Sequence, residues 1–457
     1  MNLQQIFEQQ KFTENGDVAY NTTGDNLLDI LFMSEYYQMH LNDVKIGTSD
    51  KERLFSMFIR DPRFGLGRRD LGRRLMILSG VSADNAVKAG RFDDLFVGWE
   101  HMPDDVFKSL CNYLYDQIIS GNELCKKWMP RYSSKNLMLA RRIAKALNMN
   151  KQQYGHFIKC DTVENKLSRH RTEDIIFEHV PSLALLKYYK RFTNGEDTSG
   201  RFAQYLENVK SGKSKMNIST TTVYDIYKNR KLIDADLFFD QLEKISINAL
   251  VIVDSSGSMQ DDNDSFGKAL SIGHYLTKCS SYMPGYFISF SSMPQLMQLQ
   301  SGETYSFKRL NWGGRVTEYK NQPLHGKSKY EREINSMVTG DCTNTDFRAV
   351  CELLKSLDKE NAPEWLVVLS DMEFDSGSSQ SASEVQSMFR EYGFNTNIIW
   401  WNLNARNTTT TFQKDQFGNV YLSGYSPMLL KYLESGFDGT AFLNKLLDEY
   451  AKKVKVA

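Results

Sequence analysis

Asp254, Ser256 and Ser258 are the residues of this chain whose types and spacing could hold a metal ion. One carboxylate and two hydroxyls stand two residues apart, so a single tight loop can aim three oxygens at one point. Gly257, between the serines, lets the backbone turn sharply there. An all-oxygen donor set suits a hard divalent cation. The run before it, Ala249-Leu250-Val251-Ile252-Val253, is apolar without a break and three of its five residues are β-branched, the pattern of a strand buried on both faces. The loop then lies at the carboxyl end of a central strand, where open parallel sheets bind ligands. The same five letters, Asp-Ser-Ser-Gly-Ser, also fit a helix N-cap and turn with no ion.

The elements that must position this loop are legible downstream. From about residue 245 the chain alternates strands with helices, the signature of a doubly wound sheet. A helix is expected over 266–278, strands over 286–290 and 295–300, and a polar excursion over 301–330. A helix over 331–338, a buried strand over 365–369, a helix over 382–391 and a strand over 397–401 follow. Asp-x-Ser-x-Ser after a hydrophobic strand resembles the metal-ion-dependent adhesion site of von Willebrand factor A domains. That resemblance implies a loop threonine and a later aspartate as further ligands, here Thr345 and Asp371, with Thr343 as the competing threonine. The implied cofactor is a divalent cation, Mg2+ first, with Mn2+ or Ca2+ as the other candidates. It also implies an open coordination position for a partner's acidic oxygen.

The first half reads differently. Between residues 50 and 244 short amphipathic stretches alternate with Gly, Pro or Asn, without a fixed repeat, so irregular helix pairs are expected there. Formal charge is uneven: residues 1–50 carry 2 Lys+Arg against 8 Asp+Glu, residues 51–230 carry 32 against 20, and residues 231–457 carry 22 against 28. A basic block between acidic flanks points to an anionic partner, nucleic acid first. Two stretches concentrate the charge. Residues 60–74 hold six arginines, among them Arg63, Arg68, Arg69, Arg73 and Arg74. Residues 126–135 hold Lys126, Lys127, Arg131 and Lys135, leading into a helix with Arg141, Arg142 and Lys145 on the face opposite Leu139, Ile143 and Leu147. Arginine forks match phosphate oxygens, and Phe64, Trp128 and Tyr132 offer rings for unpaired bases. The plainer account is a solvated face paired with local acids, Asp61 and Asp70 being obvious partners. Ser211-Gly212-Lys213-Ser214-Lys215 lacks the first glycine of a phosphate loop and has no strand before it, so that reading is rejected.

The pairing of a basic helical half with an A domain resembles the Ro autoantigen and its TROVE relatives. The resemblance is carried by Thr22-Thr23-Gly24-Asp25-Asn26 after a turn at 13–17, and by Arg60-Asp61-Pro62-Arg63 with Gly67-Arg68-Arg69-Asp70. Gly90-Arg91-Phe92-Asp93-Asp94-Leu95, Lys127-Trp128-Met129-Pro130-Arg131, Thr345-Asp346-Phe347 and Trp400-Trp401-Asn402-Leu403-Asn404 add to it. It implies an irregular HEAT-like helical ring or horseshoe over residues 1–245 and a Rossmann-like A domain over residues 246–457. It also implies a ribonucleoprotein component that binds structured or single-stranded-ended RNA.

Other classes recede. No apolar run nears the ~20 residues of a membrane helix, and Met1-Asn2-Leu3-Gln4-Gln5 does not read as a signal peptide. Six cysteines without Cys-x-x-Cys spacing read as reduced structural thiols, so a cytoplasmic protein is expected. The hydroxyl-rich shell holds no paired-metal cluster and no evident general base, and His274 lies a helix away, so binding is expected rather than catalysis. The alternative function is a metal-dependent protein–protein interaction or assembly module that uses no RNA.

Overall fold

Two short strands, β1 (Gln10–Phe12) and β2 (Val18–Tyr20), pair antiparallel near the amino terminus. The computed structural model describes residues 10–12, 18–20, 22–133, 135–194, 200–218, 220–290, 293–310, 315–338, 347–355, 362–373, 387, 390–391, 393–405, 418–424, 430 and 439–455. The expected turn at 13–17 and most of the helix expected over 382–391 fall outside these residues.

The apolar run becomes strand β3 (Ala249–Asp254), buried at every position. Its neighbours are β4 (Tyr286–Phe290), β5 (Gln295–Gln298), β8 (Trp365–Ser370), β9 (Asn397–Asn402) and β10 (Asn419–Ser423), while β6 (Thr304–Leu310) and β7 (Val316–Pro323) form a separate two-stranded ribbon. That ribbon occupies the stretch expected as a polar excursion. Its alternating exposed residues carry too little apolar periodicity to announce a strand. The six-stranded order is β10-β9-β8-β3-β4-β5, parallel except where β5 runs against β4.

Helices cover both faces, as a doubly wound sheet requires. One face buries Leu250, Ile252, Ile288, Val368 and Trp400 against Val350, Cys351 and Leu354 of the helix Phe347–Leu354. On the other, the helix Ser265–Cys279 lies so close to β3 that a Cβ added at Gly273 would meet Val253 Cγ2 at 2.7 Å. Only glycine permits that approach.

Residues 1–44 and 218–450 make one compact unit, and residues 45–217 with 451–457 make another. These boundaries differ from the expected division at 245/246. At the amino end the reason is burial: Leu27, Leu28, Ile30, Leu31, Phe32 and Met33 are all in the core. The Phe32 ring meets Tyr421 of β10 edge-on at 5.2 Å, Ser34 Oγ lies 2.5 Å from Ser423 Oγ, and Glu35 pairs with Lys268 at 3.2 Å. At the other boundary, Tyr224 donates to Asp264 at 2.9 Å and Phe239 packs edge-on against His274 at 4.8 Å. The helices Val223–Asn229 and Ala235–Gln241 are thereby tied to the sheet unit.

The second unit is helical throughout its described length. Its helices include Asp50–Arg60, Arg69–Ser79, Asp104–Ile119, Glu123–Trp128, Leu137–Ala146, Lys151–Phe157, Ser182–Thr193 and Arg201–Lys210. Ser49 and Glu52 close the first with a capping box, and Gly80, at φ 73°, ends the second in the left-handed conformation. A Cβ at Gly72 would fall 2.6 Å from Arg60 Cα, so glycine lets the first two helices touch backbone to backbone. Phe177, Phe192, Phe202 and Tyr205 interlock as a later aromatic core.

Candidate functional site

β3 and β8 are where the sheet's winding reverses, since the chain leaves β3 toward β4 on one side and later builds β8, β9 and β10 on the other. Ligands of such sheets bind outside the carboxyl ends of the strands at this point. Asp254 ends β3 and Asp371 follows β8. Val253 pairs in register with Leu369, so the two acids leave the same edge of neighbouring parallel strands.

Both are buried, Asp254 at 0% exposure and Asp371 at 2%. Ser370 Oγ donates to Asp254 Oδ2 at 2.5 Å and the Ser256 amide donates to Asp254 Oδ1 at 2.8 Å. Ser256 Oγ and Ser258 Oγ lie 2.9 Å apart, so the loop brings its hydroxyls together beside the carboxylate. Burial first, and the nearby Asp371 second, push the Asp254 carboxyl up to about 7. A carboxylate beside a buried acid disfavours the acid's charged form, and a cation at such a place relieves that. Met372 adopts φ 66° in the turn where the Glu373 amide reaches back to Asp371 Oδ1 at 3.3 Å. A non-glycine residue in that region marks a constrained loop.

Thr345 and the competing Thr343 fall outside the described residues. Among the described residues no group of three or more His, Cys, Asp or Glu is placed to hold a metal, so a site here draws on serine hydroxyls as well as carboxylates. Three contributors escaped the sequence reading. Ser370 holds Asp254; Asp261 accepts from the Ser265 amide at 2.9 Å and from its hydroxyl at 2.8 Å; and Asn404, after β9, donates to the same Asp261. Their only signal was position, Ser370 at the end of β8, Asp261 in the loop beyond β3 and Asn404 just after β9. His274 lies apart, buried and bonded to Glu333 at 2.8 Å, with its pKa lowered by burial.

In the helical unit the two basic stretches meet. Arg69, Arg73, Arg91, Lys127, Arg131 and Lys135 line a cleft of about 580 Å³, with Asp93 the one acid in its wall. The Arg91 guanidinium sits 4.0 Å from the Trp128 ring centroid, and Asp93 pairs with Arg91 at 3.0 Å and Arg73 at 3.4 Å. Arg91 lies outside both basic stretches, beside Asp93 and Asp94, so charge clustering along the sequence does not single it out.

The remaining cations do not line this cleft. Arg68 is buried, and Arg63 is tied to Asp61 at 3.2 Å. Arg74 is half-buried, and Lys126 pairs with Glu123 at 2.6 Å. Arg141 and Lys145 are exposed on the helix Leu137–Ala146. Arg142, expected on the solvent face beside them, is a correction: it donates to the carbonyls of Trp99 and Met102, pairs with Asp104 at 2.8 Å and stacks on Phe107 at 4.1 Å. Its long stem reaches the neighbouring helix, which a helical wheel cannot foresee. The plainer account of paired basic residues therefore holds for part of the set. Asp94 is the buried hub, accepting from Arg60 at 2.8 Å, from Arg73 and from the Arg91 amide at 2.7 Å.

The five described cysteines carry no disulfide, and burial pushes the Cys111 and Cys125 thiols up to about 12. No described helix is long and apolar enough to cross a membrane.

The chain thus joins a helical region to a doubly wound mixed sheet with an oxygen-rich carboxyl edge. Residues 248–450 match a domain of unknown function, DUF7788, and residues 120–245 match another, DUF2828. A protein of Acanthamoeba polyphaga mimivirus, described as uncharacterized protein L728, is 23% identical over 524 aligned residues, covering 96% of this chain and 87% of the viral one. The crystal structure of the Deinococcus radiodurans Ro (RSR) protein aligns at TM-score 0.40 and 12% identity, over 95% of this chain and 100% of that one.

Proposed function

We propose that this chain binds RNA through the basic cleft of its helical unit. The observation that supports this most is the convergence of Arg69, Arg73, Arg91, Lys127, Arg131 and Lys135 on one concavity beside Trp128. Arg73 and Arg91 are paired with Asp94 and Asp93, and Arg69 with Asp70, so Lys127, Arg131 and Lys135 contribute most of the electrostatic track for a phosphate backbone, and an aromatic wall suits unpaired bases. The sequence resemblance to Ro and TROVE proteins implies the same ligand class. The function is binding, not turnover. A filter-binding titration of a single-stranded RNA against salt tests it. Affinity is expected to fall linearly on log–log axes, by roughly 0.7 of a log per phosphate contact. Affinity that stays flat across the salt range would sink the idea.

A second reading concerns the sheet edge. Asp254, Ser256, Ser258 and Asp371, with Thr345 as the implied fifth ligand, hold a divalent cation, Mg2+ ahead of Mn2+ or Ca2+. The donor chemistry fits, being carboxylates and hydroxyls only. The ion would present an open position to an acidic oxygen of a protein partner, which makes this edge an assembly site that works with or without RNA. Calorimetric titration with Mg2+ and Mn2+ tests it. Equal heats from the wild type and Asp254→Ala would refute the assignment.

A further inference from the structure

A second cavity in the helical unit, about 940 Å³, has a different lining from the basic cleft. The helix Asp104–Ile119 presents Lys108, Asn112 and Tyr115 to it, at the i, i+4 and i+7 spacing that shares one helix face. Across from them, Phe157 stacks on Tyr115 at 5.2 Å with 19° between the rings. Tyr115 remains 39% exposed, so this pair keeps aromatic surface in water. Asn148, at φ 55° beyond the helix Leu137–Ala146, and Gln152 bring carboxamides to the same wall as Asn112. Asn150 and Gln153 are engaged in capping the helix Lys151–Phe157, each bonding the other's backbone at 2.9 Å. They frame the cavity without facing a ligand.

The chemistry of this wall is selective. A carboxamide offers a donor and an acceptor side by side, the complement of adenine N6–H and its neighbouring ring nitrogen. No carboxylate lines the cavity, which removes the usual acceptor for the cytosine amine. The stacked rings supply a platform, worth roughly 1–3 kcal/mol per stacked base in single-strand binding. Lys108 supplies a charge for a phosphate. From these observations we infer that this cavity receives an unpaired adenine nucleotide of the RNA. This rests on the RNA reading above and adds base preference to it.

The test compares labelled oligoadenylate and oligocytidylate of equal length in fluorescence anisotropy at one salt concentration, with the full chain. The wild type is expected to bind oligoadenylate about tenfold more tightly, the discrimination a good carboxamide–base pair supplies. The double variant Asn112→Ala/Tyr115→Ala, both at exposed positions, should lose that preference while keeping the salt dependence of binding. Tyr115→Phe keeps the ring and should keep the preference. Equal affinity of the two oligomers for the wild type, or a preference that survives in the double variant, overturns the inference and leaves the basic cleft standing. If neither oligomer binds, both readings are overturned.

Discussion

The carboxyl edge of the sheet and the Asp94 hub of the helical unit are both buried clusters of charge, yet they are balanced in opposite ways. At the hub, Asp94 faces Arg60 and Arg73, and every charge has a counter-charge within reach. At the edge, Asp254 and Asp371 share a low-dielectric corner, where Asp254 accepts from a hydroxyl and an amide. A balanced cluster stabilises the fold without needing anything from outside. The cation proposed for the edge would supply the counter-charge there. The same contrast divides the basic residues: Arg142 is fixed to neighbouring carbonyls and Asp104, whereas Arg131 and Lys135 stand in the open wall of a cleft.

Breaking the hub should have the largest effect. Asp94→Ala leaves the buried Arg60 guanidinium short of a partner and removes one of those of the part-buried Arg73, and is expected to cost about 3–5 kcal/mol in urea unfolding. A loss under about 1 kcal/mol would mean the hub is not structural and would erase the contrast. The edge should respond to ligand. Mg2+ at about 100 times its dissociation constant should stabilise the wild type by ~2.7 kcal/mol. Asp254→Asn should show no such gain in a thermal melt, while its metal-free form is no less stable because one of two opposed acids is gone. An identical Mg2+ shift in both proteins would contradict the edge as a cation site.

A third cluster sharpens the comparison through pH. Glu333 is buried, but bonds to His274 at 2.8 Å and Lys278 at 3.1 Å outweigh burial and hold its carboxyl at about 2, below its ordinary 4.5. A carboxyl depressed on folding adds stability above the unfolded value and loses it as pH falls through the folded one. The advantage of the wild type over Glu333→Gln, on the order of 2 kcal/mol at neutral pH, should therefore shrink between pH 4.5 and about 2. A constant difference across that window would show that the pairing is not electrostatic. The smallest effect belongs to the open cleft. Lys127→Gln and Lys135→Gln should each flatten the salt dependence of RNA binding by roughly 0.7 log per log and leave the melting temperature unchanged. Arg142→Gln should do the reverse, lowering stability and sparing the slope.

The Asp254 loop and the sheet were legible because both depend on local pattern. Six consecutive buried residues leave no alternative to a central strand, and Asp-x-Ser-x-Ser can converge only at its end. The helical array was legible as a class but not as a surface. The amino-terminal helix Asn26–Phe32 gave no sign that it belongs to the sheet, since an apolar helix looks the same whatever it packs on. The ribbon of β6 and β7 carried only a short alternation, Tyr305 and Phe307 among polar residues, too little to announce a strand pair.

Sequence alone determined which residues carry oxygen donors, where the buried strands run and that the middle of the chain is cationic, because those properties reside in residue type and short-range spacing. Tertiary structure alone decided which cations face a cleft and which are sealed against Asp94, Asp61 or a carbonyl. Pairing of that kind joins residues as far apart as Arg73 and Asp94 or Arg142 and Trp99, and no local periodicity encodes the meeting of two helices.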